Sequence, residues 1–231
     1  MIHFKGAHFP QEVILVCVRW YVAYPLSYRN IEEMMAERGV IVDHSTLNRW
    51  VIEFAPLLEQ EFRYRKRLVA SSWRMDETYI KVKGQWRYLY RAVDNDGCTV
   101  DFLLTAKRDG KAALRFFNKA ISSNSEPTKI NIDKSGANTA GIYAYNYDEG
   151  AYIDIFLPHG LGCRKYLNNI VEQDHRFIKK KVGPTLGFKS FRTAAATIAG
   201  IELMHMIRKG QMRKTNGRPQ TPAQQFYSLA V

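Results

Sequence analysis

The spacing of apolar residues changes from a helical to an alternating pattern near residue 70, and this change constrains the fold more than any other feature of the chain. Before residue 70, apolar side chains recur at intervals of three and four residues, which is typical of amphipathic helices. After it, short runs rich in Tyr, Val, Leu and Ile alternate with turns that contain Gly, which is typical of antiparallel strands. We therefore predict an all-helical domain at residues 1–69 and a domain built on a sheet after it.

The helical domain is predicted to contain a helix-turn-helix. Its first helix starts at Pro10, its second starts at Ser27 and stops at Gly39, and its third starts near Asp43. Ser and Asp are favoured N-cap residues, and Gly is favoured at the end of a helix. In a helix-turn-helix the second of the two helices enters the major groove of DNA. The alternative interpretation is a three-helix bundle with a polar outer face.

Two groups of residues in this domain are candidates for DNA contact. The early residues of the third helix can hydrogen-bond to base edges or phosphates; they are His44, Ser45, Asn48 and Arg49. A basic cluster at residues 63–67 follows this helix, and we expect it to lie along the phosphate backbone. The candidates in this second group are Arg65, Lys66 and Arg67.

The second domain, residues 70–209, is predicted to be α/β with a mixed sheet. Three strands form a meander, after which helices and strands alternate up to a helix at residues 166–181. The order βββαβαβα is that of an RNase H-like fold, which has helices on both faces of the sheet. A helix rich in small residues follows at 193–207, and residues 210–231 are expected to form a flexible C-terminal tail.

Three acids in this domain are candidates for a metal site. Asp76 lies in the first strand, Asp133 ends the fourth, and Glu172 lies on the helix at residues 166–181. In the predicted fold the first strand is central and the fourth lies beside it, so the three acids can meet at one edge. Each acid also has an ordinary alternative interpretation: Glu77 as the inward acid in place of Asp76, Asp133 as an N-cap, and Glu172 as a surface acid.

Three adjacent carboxylates repel one another unless cations lie between them. Mg²⁺ prefers oxygen ligands, and a pair of such ions can activate an attacking hydroxyl and stabilise the leaving 3′-oxygen of a phosphodiester. The sequence therefore predicts phosphoryl transfer on nucleic acid with two Mg²⁺ ions, or with Mn²⁺ in their place.

Positive charge is concentrated in the last third of the chain. Residues 158–231 contain 13 Lys and Arg residues against three acids, and the whole chain carries a net charge of +12. This excess favours nucleic acid as a partner, with a solvated basic surface as the alternative. On the Glu172 helix, His175 and Lys179 share the face of the acid and are candidates for substrate phosphate. The candidates for the DNA backbone there are Arg176, Lys180 and Lys181.

Membrane and disulfide-rich classes are not supported. The apolar run at residues 13–22 contains Arg19 and is too short to span a bilayer, and the N-terminus lacks the layout of a signal peptide. Cys17, Cys98 and Cys163 are far apart and form no CxxC pair, so neither a disulfide framework nor a zinc finger is expected. We predict a cytoplasmic protein without a membrane partner.

Several segments of the chain together resemble a known family. They include Ser-Tyr-Arg at the second helix, Met-Asp-Glu-Thr-Tyr-Ile-Lys-Val around Asp76, Ile-Asp-Lys around Asp133 and Tyr-Leu-Asn-Asn before Glu172; the full set is residues 27–29, 42–46, 75–82, 88–94, 132–134, 166–176 and 186–190. With these segments the chain resembles bacterial insertion-sequence transposases of the DDE class, in the retroviral-integrase superfamily. It is most similar to the insertion-sequence-six family, which moves replicatively through cointegrates.

The resemblance implies an RNase H-like core whose metal ligands match Asp76, Asp133 and Glu172, with Lys179 as the basic residue seven positions after the glutamate. It implies recognition of terminal inverted repeats, cleavage that frees 3′-hydroxyls, and their attack on target DNA. It further implies a homodimer or larger assembly on double-stranded DNA, in the bacterial cytoplasm at the nucleoid.

One interval departs from the family pattern. The stretch from Asp133 to Glu172 is longer than usual, and residues 145–162 match poorly. This is either a loop insertion or the mark of a decayed copy. The alternatives to a transposase are a catalytically impaired DNA-binding repressor derived from one, or an RNase H-like nuclease.

Overall fold

The computed structural model describes residues 2–4, 6, 8–132, 136–156, 169–182, 187–213 and 220–230. These residues form two compact units, one made of residues 1–67 and 181–231 and the other of residues 68–180. The helices and strands, in chain order, are α1 Gln11–Ala23, α2 Tyr28–Ala36, α3 His44–Arg65, β1 Ser72–Val82, β2 Gln85–Asp94, β3 Thr99–Thr105, α4 Gly110–Ser122, β4 Lys129–Asn131, α5 Gly136–Glu149, β5 Asp154–Phe156, α6 Asn169–Val182, α7 Phe191–Arg208 and α8 Pro222–Ser228.

The N-terminal helices begin where their capping residues predict. The Ser27 side chain accepts a hydrogen bond from the backbone N–H of Asn30, and the Asn30 side chain accepts one from the backbone N–H of Ser27, which together form a capping box. Asp43 caps α3 by accepting a hydrogen bond from the backbone N–H of Ser45. The link between α2 and α3 contains Gly39 in the left-handed region, at φ 72°. A helix, a short link and a second helix follow one another here, as expected for a helix-turn-helix.

Helix α7 belongs to the same unit as α1, α2 and α3, whereas we expected it in the sheet domain at 70–209. Its small residues allow a close approach: a Cβ placed on Gly200 would lie 2.6 Å from Val22 Cγ1 and 2.9 Å from Ala55 Cβ. Helix α7 therefore packs closely against α1 and α3.

The expectation of a flexible tail at residues 210–231 is corrected by α8. Thr221 and Gln224 form a capping box at its start, with Pro222 in the first turn. Phe226 is fully buried, and Arg65 Nη1 donates a hydrogen bond of 2.9 Å to the Ser228 carbonyl. A polar composition suggested disorder, but one capped turn and one buried aromatic ring are enough to form and fix a short helix.

The sheet has the strand order β3-β2-β1-β4-β5. β1 pairs antiparallel with β2, β2 antiparallel with β3, and β1 parallel with β4, which is parallel to β5. The prediction that the first strand is central and the fourth lies beside it is confirmed, as is the mixed α/β, RNase H-like order. β4 ends at Asn131, before Asp133.

One face of the sheet carries the core of this unit. Trp73, Met75 and Tyr90 pack there with Phe116 of α4 and Ile142 of α5. α4 and α5 are in close contact, since a Cβ on Gly141 would lie 2.6 Å from Ala113 Cβ. Because side chains alternate along a strand, Asp76 and its register partner Arg91 lie on the other face.

Candidate active site

Asp76 lies near the middle of the central strand, on the face that α4 and α5 leave free. Its side chain is partly exposed, and its Oδ1 accepts a hydrogen bond of 2.8 Å from the backbone N–H of Glu77. Glu77 points to the opposite face, where it pairs with Arg108 and accepts a hydrogen bond of 2.9 Å from Asn138 Nδ2. Of the two neighbouring acids, Asp76 is therefore the one with oxygen atoms available to a ligand on this face.

Helix α6, which carries Glu172, lies against the same face of the sheet. His175 Nε2 is 3.3 Å from Asp76 Oδ2, and Arg91 Nη1 donates a hydrogen bond of 2.9 Å to Asp174 Oδ2. Arg91 stands opposite Asp76 in the register of β1 and β2. The two contacts therefore bring the first half of α6 beside Asp76.

The two sides of α6 differ in character. Val171, Asp174, His175 and Ile178 are buried, whereas an exposed strip on the other side carries Glu172, Arg176, Lys179 and Lys180. Glu172 lies about one turn before His175, and Lys179 about two turns after Glu172, at 3.6 residues per turn. An acid and a cation thus share an exposed strip next to the contact with Asp76. Asp133, the remaining predicted ligand, lies outside the described residues.

His175 is placed differently from the prediction. We expected it to contact substrate phosphate from the face of Glu172, but its side chain is only 4% exposed and lies against Asp76. At 3.6 residues per turn His175 lies about 60° around the helix from Glu172, and this places it at the edge of the buried side, with Asp174 and Ile178. Its contact is with a candidate metal ligand and not with solvent.

This unit contains buried ion pairs that the sequence did not predict. Arg91 is fully buried and paired with Asp174, and Asp101 is buried and paired with Lys119 at 2.6 Å. Asp94 accepts hydrogen bonds from the backbone N–H groups of Ala70, Asp96 and Cys98. An arginine inside an apolar strand signals a buried charge that needs a partner, but the sequence does not say which acid supplies it.

The candidate DNA residues of α3 lie at its exposed start. His44 Nδ1 is 3.1 Å from Glu32 Oε2 and 3.3 Å from Asp43 Oδ2, a contact that joins α3 to α2. The hydroxyl and backbone N–H of Ser45 both donate to Asp43 and lower the pKa of that carboxyl. Asn48 is half-buried, and Arg49 is exposed and hydrogen-bonded to Thr46.

The basic cluster at residues 63–67 is engaged within the protein, which corrects the prediction for Arg65 and Lys66. α3 is longer than expected, so Arg63 and Arg65 pair with Glu59 and Glu61 one turn earlier, at 2.6 and 2.9 Å. Lys66 is buried and forms a β-bridge with Met212. The side chain of Arg67 is exposed.

At the end of α6, Lys181 differs from its neighbour Lys180. Lys180 is exposed, whereas Lys181 is partly buried, with Nζ 5.4 Å from the centre of the Tyr21 ring. Burial, and then the positive charge of Arg208, lower the pKa of Lys181 to about 8. Lys181 is therefore a poorer candidate for the DNA backbone than the sequence suggests.

The sequence is similar to those of known transposases. The DDE domain family matches residues 70–211, and a family described as "Transposase IS66 family" matches residues 12–126. The transposase for insertion sequence-like element IS431mec of Staphylococcus aureus strain N315 is 40% identical over 215 residues, which is 92% of each chain. The transposase for insertion sequence element IS257 in transposon Tn4003 of Staphylococcus aureus is 39% identical over the same shares.

Solved structures with a similar arrangement include two viral integrase core domains. The HTLV-2 integrase catalytic core domain in complex with magnesium (trimeric form) has a TM-score of 0.46 and 18% identity, and covers 72% of this chain and 100% of that chain. The catalytic core domain of BIV integrase has a TM-score of 0.45 and 18% identity, and covers 69% of this chain and 95% of that chain.

No helix within the described ranges has the length and apolar content needed to cross a membrane. The match to the DDE domain family covers more than half of the chain, and the identity to transposases of insertion sequences extends over 92% of it. The chain therefore belongs to the DDE transposases of bacterial insertion sequences.

Proposed function

We propose that this transposase binds the terminal inverted repeats of its element, frees 3′-hydroxyl ends and joins them to target DNA by Mg²⁺-dependent phosphoryl transfer. The observation that carries the proposal is the contact between His175 on α6 and Asp76 on β1, because it sets the turn that contains Glu172 beside Asp76. The alternative functions, a repressor without catalysis and a nuclease, share the DNA-binding part and differ in the chemistry.

The register of the sheet supports Asp133 as a further member of the site. β1 and β4 are parallel, and their last paired residues are Arg74 and Asn131. Asp76 and Asp133 each follow these residues by two positions. This equal offset in the sequence supports Asp133 as the second candidate ligand.

The donor set fits Mg²⁺. Asp76, Asp133 and Glu172 offer carboxylate oxygens, which are the ligands that Mg²⁺ prefers, and Mn²⁺ takes the same ligands. The partly exposed Asp76 carboxylate receives one hydrogen bond from the protein backbone, which leaves further lone pairs for a cation. Two bound ions would stabilise the attacking and the leaving oxygens of the phosphodiester.

The remaining residues of the site bind and position DNA. Lys179, exposed on the strip of Glu172, contacts a phosphate next to the scissile bond, and Arg176 and Lys180 contact the backbone further along. The Arg91–Asp174 pair holds α6 on the sheet. At the other DNA-binding surface, the start of α3 enters the major groove with Ser45, Asn48 and Arg49, supported by His44 and Arg67.

We propose that the working complex is a homodimer or a larger assembly on double-stranded DNA, in the cytoplasm at the bacterial nucleoid. Joining two element ends to one target requires two active sites to be held together. Each chain contains one set of Asp76, Asp133 and Glu172 and would therefore supply one active site.

The test is a strand-transfer assay with duplex DNA that carries the inverted repeat flanking the gene, in the presence of Mg²⁺. Asp76→Ala, Asp133→Ala and Glu172→Ala should each lower joining by more than about 100-fold, since loss even of a group that only supports a metal ligand costs about 10–100-fold. Binding of the repeat, measured by gel shift, should persist. Asp148→Ala, which removes an exposed acid of α5, is the matched control and should join normally.

The outcomes separate the three functions. Joined products from any of the three alanine variants would contradict the site assignment. Wild-type protein that binds the repeat but neither cuts nor joins it acts as a repressor. Wild-type protein that releases cut ends without joining them is a nuclease.

A further inference from the structure

The outer part of the β1–β2 hairpin carries an exposed aromatic surface, here called the hairpin face and made of Tyr79, Lys81, Trp86 and Tyr88. Tyr79 pairs with Tyr88, and Lys81 pairs with Trp86, in the antiparallel register. Paired residues point to the same side of a hairpin, so the four side chains share one surface. Tyr79 is 48% exposed and Trp86 is 59% exposed.

The rings of the hairpin face form a continuous strip. The ring centres of Tyr79 and Tyr88 are 5.4 Å apart, and those of Tyr79 and Trp86 are 6.2 Å apart. Lys81 Nζ is 6.0 Å from the centre of the Trp86 ring. Cross-strand aromatic pairs stabilise hairpins, but that role does not require Trp86 to leave more than half of its surface in solvent.

The charge around this surface has one sign. Residues 78–93 contain Lys81, Lys83, Arg87 and the buried Arg91, and no acid. The side chains of Lys81 and Lys83 are exposed. This charge favours a polyanion as the occupant of the hairpin face.

We propose that the hairpin face binds unpaired nucleotides of a DNA strand, with bases stacked on Trp86 and Tyr79 and phosphates held by Lys81 and Lys83. Proteins bind single-stranded DNA with exposed aromatic rings, on which the flat bases stack, and with cations, which hold the phosphates. Duplex DNA keeps its bases stacked inside and offers only phosphates to such a surface. The site is thus separate from duplex recognition at α3 and from the carboxylates of the active site, and it needs no metal.

The test measures binding of a fluorescent 12-nucleotide oligothymidine to the full chain in EDTA by anisotropy. Trp86→Ala should weaken binding about tenfold, the effect of losing one stacked base, and Trp86→Phe should restore most of it. Tyr152→Ala, which removes an exposed tyrosine outside the hairpin face, should bind like wild type. Thermal unfolding of each variant separates a binding defect from a folding defect.

Three results would overturn the proposal. Unchanged oligothymidine binding by Trp86→Ala removes the stacking role. An equal loss of duplex binding shows a general phosphate surface instead. If the Trp86→Ala variant sediments differently from wild type but still binds oligothymidine, the hairpin face is a contact between copies of the chain. Because the assay contains no metal, a failure of the joining chemistry leaves it unaffected.

Discussion

At the scale of single residues, the ion pair between Arg91 and Asp174 connects the strand beside Asp76 to the helix that carries Glu172. Arg91 is fully buried, and its guanidinium donates to Asp174 at 2.9 Å. A buried charge without its partner is strongly unfavourable, whereas removal of both charges can be nearly neutral. The pair therefore fixes α6 in position more than it adds to net stability.

Removal of one partner should therefore destabilise the protein far more than removal of both. We expect Arg91→Met alone to lower the free energy of unfolding by about 3–5 kcal/mol, and the double variant Arg91→Met with Asp174→Leu to recover a large part of that loss. Urea unfolding of the single and double variants measures this coupling. Arg115→Met, at an exposed position on α4, is the control and should change stability little.

Strictly additive losses in the double-mutant cycle would mean that Arg91 and Asp174 do not stabilise one another. The ion pair would then not be what holds α6 on the sheet.

Sequence periodicity predicted part of the site at this scale. It indicated that Glu172 and Lys179 share one strip of a helix, and both lie on the exposed strip of α6. It did not indicate which side of the helix faces the sheet, because that depends on contacts between residues far apart in the chain. His175 was therefore expected in solvent and is found against Asp76.

At the scale of elements, the packing of α4 against α5 depends on a glycine. A Cβ on Gly141 would lie 2.6 Å from Ala113 Cβ and 2.9 Å from the backbone N of Leu114, and a backbone atom cannot turn aside as a flexible side chain can. α5 would have to move away from α4 to accept any side chain at this position.

Gly141→Ala should accordingly lower the free energy of unfolding by about 1–3 kcal/mol, the usual cost of overpacking. The matched control is Gly136→Ala in the same helix, where an added Cβ meets no atom within 4 Å; it should be neutral or slightly stabilising, because alanine restricts the unfolded chain. Thermal unfolding followed by circular dichroism compares the two. Equal gains in both variants would show that the higher helix propensity of alanine, and not contact with Ala113, decides the effect.

Element boundaries were predictable where local chemistry sets them. Ser27 and Asp43 were expected at helix starts, and each caps its helix. The meander of three strands was also predicted, and β1, β2 and β3 form it. α8 was missed, because its Gln-rich and Pro-rich surroundings outweighed the short capping box at Thr221 and the single buried ring of Phe226.

At the scale of the whole molecule, the order of elements predicted the sheet but not the grouping of the last helices. A central β1 with β4 beside it was expected once the βββαβαβα order was assigned to an RNase H-like fold, and it is observed. The placement of α7 and α8 with the N-terminal helices depends on close contacts such as Gly200 with Val22, and local sequence patterns do not report which distant helix supplies the partner.

The C-terminal segment should therefore contribute to the stability of the unit made of residues 1–67 and 181–231. We expect Phe226→Ala to lower the free energy of unfolding by about 3–5 kcal/mol, as for other fully buried phenylalanines. Gln220→Ala, at an exposed position just before α8, should have little effect. Chemical denaturation of both variants provides the measurement, and equal stability of Phe226→Ala and wild type would favour the flexible tail that the composition suggests.

α6 is anchored to the sheet by its own side chains, through Asp174 with Arg91 and His175 with Asp76, so the number of residues before it does not set its position. If the proposed site is right, copies of the element should tolerate gain or loss of residues between Asp133 and Glu172, because the anchors of α6 keep the proposed ligand Glu172 in place. A single residue inserted inside α6, between Glu172 and Asp174, would instead rotate the acid by about 100° relative to its anchors. Insertions and deletions in this gene should therefore be tolerated between Asp133 and Glu172 and eliminated by selection within α6.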